Sequence, residues 1–115
     1  MNALVLAFLN SWRGLRHGAR TERAVRQELV LLALGVPVAL LLGATLWVRV
    51  ALMVSLLLML AAEFLNTAVE KLCDHVHPGH HPMIGTVKDL ASAGTFMAQV
   101  AALLVWVAAL IERLG

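Results

Sequence analysis

A row of acidic and amide side chains runs through a stretch of otherwise apolar sequence. Its members are separated by three, four and seven residues and therefore share one face of a helix: Glu63, Asn66, Thr67, Glu70 and Asp74. Glu63 lies among leucine and alanine residues, where an ionised carboxylate is costly unless a cation or a hydrogen-bond donor meets it. Either Asn66 or Thr67 taken singly is better explained as a link between helices. Five aligned polar residues instead predict a functional carboxylate site.

A lysine and an aspartate stand just before a later apolar segment. Lys88 and Asp89 precede that segment, and Ser92 lies one helical turn further on, on the same side as Lys88. Taken alone, Lys88 would only mark the membrane interface, although a lysine can also hold phosphate as a point charge. Carboxylates that bind a hard divalent cation, together with a lysine, are the groups that phosphoryl transfer requires.

Other polar groups give weaker signals. Glu22 and Glu28, in a basic segment, either add ligands to the site or pair with Arg23 and Arg26 on a solvated helix. The following residues invite a zinc hypothesis, but their spacing fits no strong zinc pattern: Cys73, Asp74, His75, His77, His80 and His81. The sequence has no Walker-type phosphate loop, no catalytic loop of protein kinases and no GxSxG motif.

The elements that position these residues are predicted to be membrane helices. The chain has 115 residues, of which 61% are hydrophobic and 14% charged, too little polar surface to cover a water-soluble domain. The apolar run from Leu29 to Val48 is roughly 30 Å long as a helix, which matches a bilayer core. We expect an all-α protein with a single domain, residues 1–115, and spans at about 29–48, 50–72 and 90–111.

Three helices enclose little space, so a polar site among them would be closed by neighbouring copies in a symmetric oligomer. The third span carries a stripe of small residues four apart, namely Gly94, Ala98 and Ala102, which would let another helix approach. The alternative, that alanine is simply common in this segment, explains the stripe about equally well.

An amphipathic helix at about residues 1–27 is predicted to lie in the membrane interface. Its apolar residues recur at intervals of three and four: Leu4, Val5, Phe8, Leu9, Trp12 and Leu15. Five arginines follow and favour the cytoplasmic side: Arg13, Arg16, Arg20, Arg23 and Arg26. The histidine-rich loop from about His75 to Val87 then shares that side, and a short turn near Arg49 faces the outside. Nucleic-acid binding is disfavoured, because apolar spans follow the arginines directly and no aromatic residues interleave them.

The order of these motifs resembles the prokaryotic diacylglycerol kinases and undecaprenol kinases over nearly the whole chain. The resemblance rests on Glu-Phe-Leu-Asn-Thr-Ala-Val-Glu at 63–70 with Asp74 following, and on Lys88-Asp89 followed by Ala-Ser-Ala at 91–93. Ser-Trp-Arg-Gly-Leu at 11–15, Thr-Glu-Arg at 21–23 and Arg-Gln-Glu at 26–28 extend it. It implies a homotrimer in which each subunit has a surface helix and three spans, with active sites shared between neighbouring subunits.

The resemblance also implies a role for individual residues. Glu63 would be the general base that takes the proton from the lipid hydroxyl, and Asn66 would help to position that carboxylate or the phosphate. Glu22 and Glu70 would hold Mg²⁺ on the nucleotide. The resemblance further implies that ATP is contacted by Lys88, Asp89 and His81. The lipid would be contacted by Trp12, Glu28 and Ser92, as well as by Glu63.

The expected function is therefore transfer of the γ-phosphoryl group of MgATP to diacylglycerol, at the cytoplasmic face of the bacterial inner membrane. Undecaprenol is the alternative acceptor, because the His-His-Pro sequence at 80–82 is also seen in undecaprenol kinases. A small proton-coupled transporter would use Glu63 but would not need Lys88 or Asp89. A structural subunit would tolerate Glu63→Gln.

Overall fold

Four helices make up the part of the chain that the structure, a computed structural model, describes, which is residues 2–115. They are α1 (Ala3–Thr21), α2 (Arg23–Leu42), α3 (Leu46–Val76) and α4 (Pro82–Leu114). Helices α2, α3 and α4 are each long and apolar enough to cross a membrane. The expected all-α architecture, with a first helix followed by three spans, is confirmed.

The junction between α1 and α2 lies at Glu22, which has an extended backbone and ends the first helix earlier than the expected residue 27. The guanidinium group of Arg26 donates hydrogen bonds to the carbonyl oxygens of Ala19 (3.4 Å) and Arg20 (3.0 Å). These bonds satisfy carbonyl groups in the last turn of α1, which have no partner within the helix. The basic residues after Glu22 therefore form the first turns of α2.

The turn between α2 and α3 comprises residues 43–45, whereas the sequence pattern places it near Arg49. Gly43 closes α2, its N–H donating to the carbonyl oxygen of Ala39 at 2.9 Å. The hydroxyl oxygen of Thr45 accepts from the N–H of Val48 at 3.3 Å and caps α3. Arg49 lies in the first turns of α3, and its Nε donates to the carbonyl oxygen of Gly43 at 3.1 Å.

The loop between α3 and α4 is shorter than the expected 75–87, because only residues 77–81 are non-helical. His81 caps α4, with its Nδ1 accepting from the N–H of Met83 at 3.1 Å, and Pro82 takes the first helical position, where no N–H is needed. Lys88 and Asp89 consequently lie inside α4 and not at its mouth.

Helix α4 packs on α3 through small residues at intervals of seven, namely Thr95, Ala102 and Ala109, all of which are buried. Of the predicted stripe, only Ala102 is buried, and Gly94 faces open space. A hydrogen bond from Nε1 of Trp106 to the hydroxyl oxygen of Ser55 (3.1 Å) joins the two helices in the apolar interior. Small side chains and such polar links are the usual means of helix association in membranes.

Gly18 lets α1 lie against α3 beside the acidic stripe. A Cβ atom at Gly18 would lie 2.7 Å from Cε1 of Phe64 and 3.3 Å from Cγ1 of Val25. Gly18→Ala is therefore expected to lower the free energy of unfolding by about 1 kcal/mol, since overpacking outweighs the better helix propensity of alanine. Thermal unfolding in detergent micelles measures the change.

Gly14 is the matched control on the same helix, because a Cβ atom there meets nothing within 4 Å. Gly14→Ala is expected to raise the stability by up to about 1 kcal/mol through helix propensity alone. Equal effects of the two substitutions would contradict close packing at Gly18.

Candidate active site

The acidic stripe of α3 runs from the packed interior to the polar end of the helix. Glu63 is only 8% exposed, whereas Glu70 and Asp74 are exposed. Between them the amide Nδ2 of Asn66 donates to Oε1 of Glu70 at 3.0 Å. This bond fixes the amide, and the Oδ1 atom of Asn66 is buried with no hydrogen-bond partner within the described residues.

Glu28 of α2 brings a second carboxyl group to Glu63. Glu28 is 9% exposed, and its carboxyl group lies within hydrogen-bonding reach of that of Glu63. Its Oε1 atom is buried and has no hydrogen-bond partner in the described part of the chain. Of the two interpretations open from the sequence, a ligand in the site or an ion pair with neighbouring arginines, the second is not seen for Glu28 in residues 2–115. A buried pair of acidic groups requires a donor or a cation between them.

Glu22, at the junction of α1 and α2, approaches the same region from the polar end. Its Oε1 lies 2.8 Å from Nζ of Lys71, and the side chains are 27% and 51% exposed respectively. The hydrogen bond from Lys71 holds the pKa of the Glu22 carboxyl below its ordinary value, against a smaller opposing effect of partial burial. Glu22 is therefore ionised at neutral pH. Its charge and that of Glu70 both act on Glu63.

Lys71 is the residue of this cluster that the sequence analysis missed. It follows Glu70 directly and pairs with Glu22, not with a neighbour on its own helix. The one signal in the sequence is that a single lysine interrupts the acidic end of the segment 63–74.

Lys88 faces the acidic stripe from α4. Its Nζ donates to Oδ1 of Asp74 at 2.6 Å, an ion pair that joins α3 and α4 across the loop. His81 and Lys88 line one shallow polar pocket, together with Gly79 and Gly85 of the loop and first turn of α4. The structure thus places these two predicted nucleotide-binding residues on the same side of the molecule.

Three of the predicted site residues are exposed and are not bonded to the cluster. Trp12 is 54% exposed, and Ser92 and Asp89 are also exposed. Within residues 2–115 no hydrogen bond or ion pair connects their side chains to the acidic stripe. Any role that they have in a shared site would involve a ligand or another copy of the chain.

The cysteine and histidine residues near the loop do not converge. Cys73 is buried, while His75, His77, His80 and His81 are exposed. In the described part of the chain, no three side chains of His, Cys, Asp or Glu form a group that could hold a metal ion by themselves.

Comparison with known proteins gives one consistent family. Residues 9–110 match the family model described as prokaryotic diacylglycerol kinase. The chain is 35% identical to the diacylglycerol kinase of Escherichia coli K12, over 91% of this chain and 86% of the relative. It is 34% identical to the diacylglycerol kinases of Haemophilus influenzae and Pseudomonas aeruginosa, over 84% of this chain and 81% and 78% of those relatives.

Proposed function

The chain belongs to the prokaryotic diacylglycerol kinase family, and we propose that it transfers the γ-phosphoryl group of MgATP to the hydroxyl of diacylglycerol, giving phosphatidic acid and ADP. The observation that carries the proposal is the buried Glu63 carboxyl, which faces Glu28 at the point where the apolar part of α3 meets its polar end. A lipid hydroxyl can reach this depth, and a nucleotide can approach from the polar side.

The reaction forms one bond and breaks another. The lipid hydroxyl oxygen attacks the γ-phosphorus, the bond from that phosphorus to the β–γ bridging oxygen breaks, and ADP leaves. Glu63 takes the hydroxyl proton as the new bond forms, which is general-base catalysis. Without this proton acceptor the attacking oxygen would develop a positive charge in an apolar environment, which is costly.

The unpartnered acceptor atoms beside Glu63 support a donor ligand at this position. Oε1 of Glu28 and Oδ1 of Asn66 are both buried and have no hydrogen-bond partner among residues 2–115. Leaving such atoms unsatisfied costs about 1–3 kcal/mol each, so a ligand that donates hydrogen bonds is favoured. The hydroxyl group of a lipid is such a donor. Diacylglycerol carries one hydroxyl, whose single proton is donated to one acceptor at a time; in the proposed reaction that acceptor is Glu63, with Glu28 and Asn66 lining the site beside it.

Mg²⁺ is the proposed cofactor, held on the nucleotide by Glu22 and Glu70. Proteins usually bind Mg²⁺ through one or two carboxylates plus substrate phosphates and waters. The donor set fits this preference, because both side chains are partly or fully exposed carboxylates whose charges reach Glu63. When bound, the ion neutralises the charge on the transferring phosphoryl group. Lys88 and His81 would hold the phosphates from α4, with Asp89 near the nucleoside.

A homotrimer with shared active sites would explain why some predicted lipid-binding residues are exposed in a single chain. Trp12 and Ser92 are exposed within one chain, and Leu4 and Phe8 leave the apolar face of α1 without a partner. A neighbouring subunit would bring such residues to the lipid-binding side of the next site. We place the chain in the bacterial inner membrane, with this end of α3 facing the cytoplasm, where ATP is available and where the arginine-rich segment is favoured.

The proposal is tested with purified protein in mixed micelles and ATP labelled on the γ-phosphate. Labelled phosphatidic acid is expected with diacylglycerol, and undecaprenol is expected to react at least about tenfold more slowly. A chelator of divalent cations should abolish transfer. Labelling of undecaprenol alone would keep the kinase and change its acceptor, while labelling of neither lipid by folded protein would contradict the proposed function.

A further inference from the structure

Lys71 forms an ion pair with Glu22, which is one of the two carboxylates proposed to bind the metal. The ammonium group lies 2.8 Å from Oε1 of Glu22 and ties the junction of α1 and α2 to the end of α3. Glu22 has no other salt bridge within residues 2–115. A univalent cation of the protein therefore contacts the carboxylate to which the proposed function assigns a divalent one.

The two cations cannot share the carboxylate without repelling each other. A divalent ion bound to Glu22 would lie a few ångströms from Nζ of Lys71, and like charges at such a distance disfavour each other even near the protein surface. Lys71 is half exposed, so its long side chain can turn away into solvent at small cost. Metal binding at Glu22 would therefore weaken the ion pair and favour its opening.

We propose that Lys71 is a positioning residue that holds the Glu22 carboxylate in place in the nucleotide-free enzyme and competes with the metal of MgATP for it. The inference rests on the proposed function, because it takes Glu22 as a metal ligand. Its consequence is that metal and nucleotide enter together: the phosphates bring a cation of higher charge, which displaces the ammonium group. Free Mg²⁺ carries the same charge but lacks the phosphates that Lys88 and His81 are proposed to hold, so it gains less binding free energy from the same exchange.

The competition predicts that removal of the ammonium group tightens metal binding. Lys71→Met keeps an unbranched side chain of similar length and removes the charge. Because exposed ion pairs contribute about 0.2–1 kcal/mol, the dissociation constant of the metal–nucleotide complex is expected to fall by about 1.4-fold to fivefold. A lysine that instead contacted the phosphates would give the opposite sign.

The test measures binding and not activity. Mn²⁺ replaces Mg²⁺, and the ATP analogue with a methylene group in place of the β–γ bridging oxygen prevents turnover. Water-proton relaxation enhancement reports the ternary complex of purified protein in micelles, and size-exclusion chromatography checks that each variant keeps its oligomeric state. Lys71→Arg retains the charge and should bind as the wild type does. Arg20→Met removes an exposed cation two residues from Glu22 that makes no ion pair in the described chain, and should also leave binding unchanged.

Each result decides between the proposals. Tighter binding by Lys71→Met, lost when Glu22→Gln is added, supports competition at that carboxylate. Unchanged or weaker binding by Lys71→Met overturns it while the kinase assignment stands. Failure of the folded wild type to bind the Mn²⁺–nucleotide complex overturns the proposed function and this inference with it.

Discussion

Glu63→Gln is expected to lower the rate of phosphoryl transfer by about 10²- to 10⁴-fold, the usual contribution of a general base. Glutamine has the same size and can still accept a hydrogen bond, but its amide cannot take up a proton. Because Glu63 is buried against α2, a same-sized replacement should leave the packing intact. The expected loss is therefore in kcat, measured with both MgATP and diacylglycerol at saturation.

A matched control exists at the other end of the molecule. Glu112, in the last turns of α4, is exposed and makes no ion pair in the described chain, and Glu112→Gln should retain full activity. Circular dichroism and size-exclusion chromatography should show the same helix content and oligomeric state for both variants. If Glu63→Gln kept more than about a tenth of the wild-type rate, proton transfer to this carboxylate would not be what limits catalysis, and Glu63 would have a structural role.

The acidic stripe could be predicted from the sequence because it lies on a single unbroken helix. Glu63, Asn66 and Glu70 face one way in any straight α-helix, whatever packs around them. The hydrogen bond from Asn66 to Glu70 follows from the same spacing, since the acceptor is four positions after the donor. The three membrane spans could be predicted equally well, since the length of an apolar run is a local property of the sequence.

The contacts between helices could not be predicted in this way. The pairing of Glu22 with Lys71, and the approach of Glu28 to Glu63, depend on how α2 is rotated against α3. Hydropathy identifies an apolar run but not which of its sides meets a neighbour. The sequence therefore left Glu22 and Glu28 open between ligands and ion pairs with adjacent arginines, and it gave Lys71 no role.

Helix ends were misplaced for a related reason. The turn at 43–45 is set by single hydrogen bonds, such as that from the N–H of Val48 to the hydroxyl of Thr45, and these leave no trace in averaged hydropathy. The same applies to the start of α4. The ring of His81 caps this helix through a hydrogen bond from the N–H of Met83, so the helix begins several residues before the apolar run does. Because α4 begins earlier, Lys88 lies inside a helix with a fixed backbone, and this backbone positions its ammonium group to bond with Asp74.

Glu70→Gln is expected to lower kcat/KM for MgATP by about 10²-fold or more, since several kcal/mol of charge stabilisation depend on the metal that Glu70 is proposed to hold. The oxygen of the new amide can still accept the hydrogen bond that Nδ2 of Asn66 gives to Oε1 of Glu70, so the local structure should persist. Only the negative charge is removed.

The distinguishing measurement is the dependence of the rate on Mg²⁺ at fixed ATP. The Glu70→Gln variant should recover part of its activity as Mg²⁺ rises, because mass action offsets weaker binding, whereas Glu63→Gln should not respond. The KM for diacylglycerol should stay within about twofold of the wild-type value, as for a substitution that leaves lipid binding unchanged. A loss confined to the KM for the lipid would instead place Glu70 in the acceptor site, and the metal would then depend on Glu22 alone.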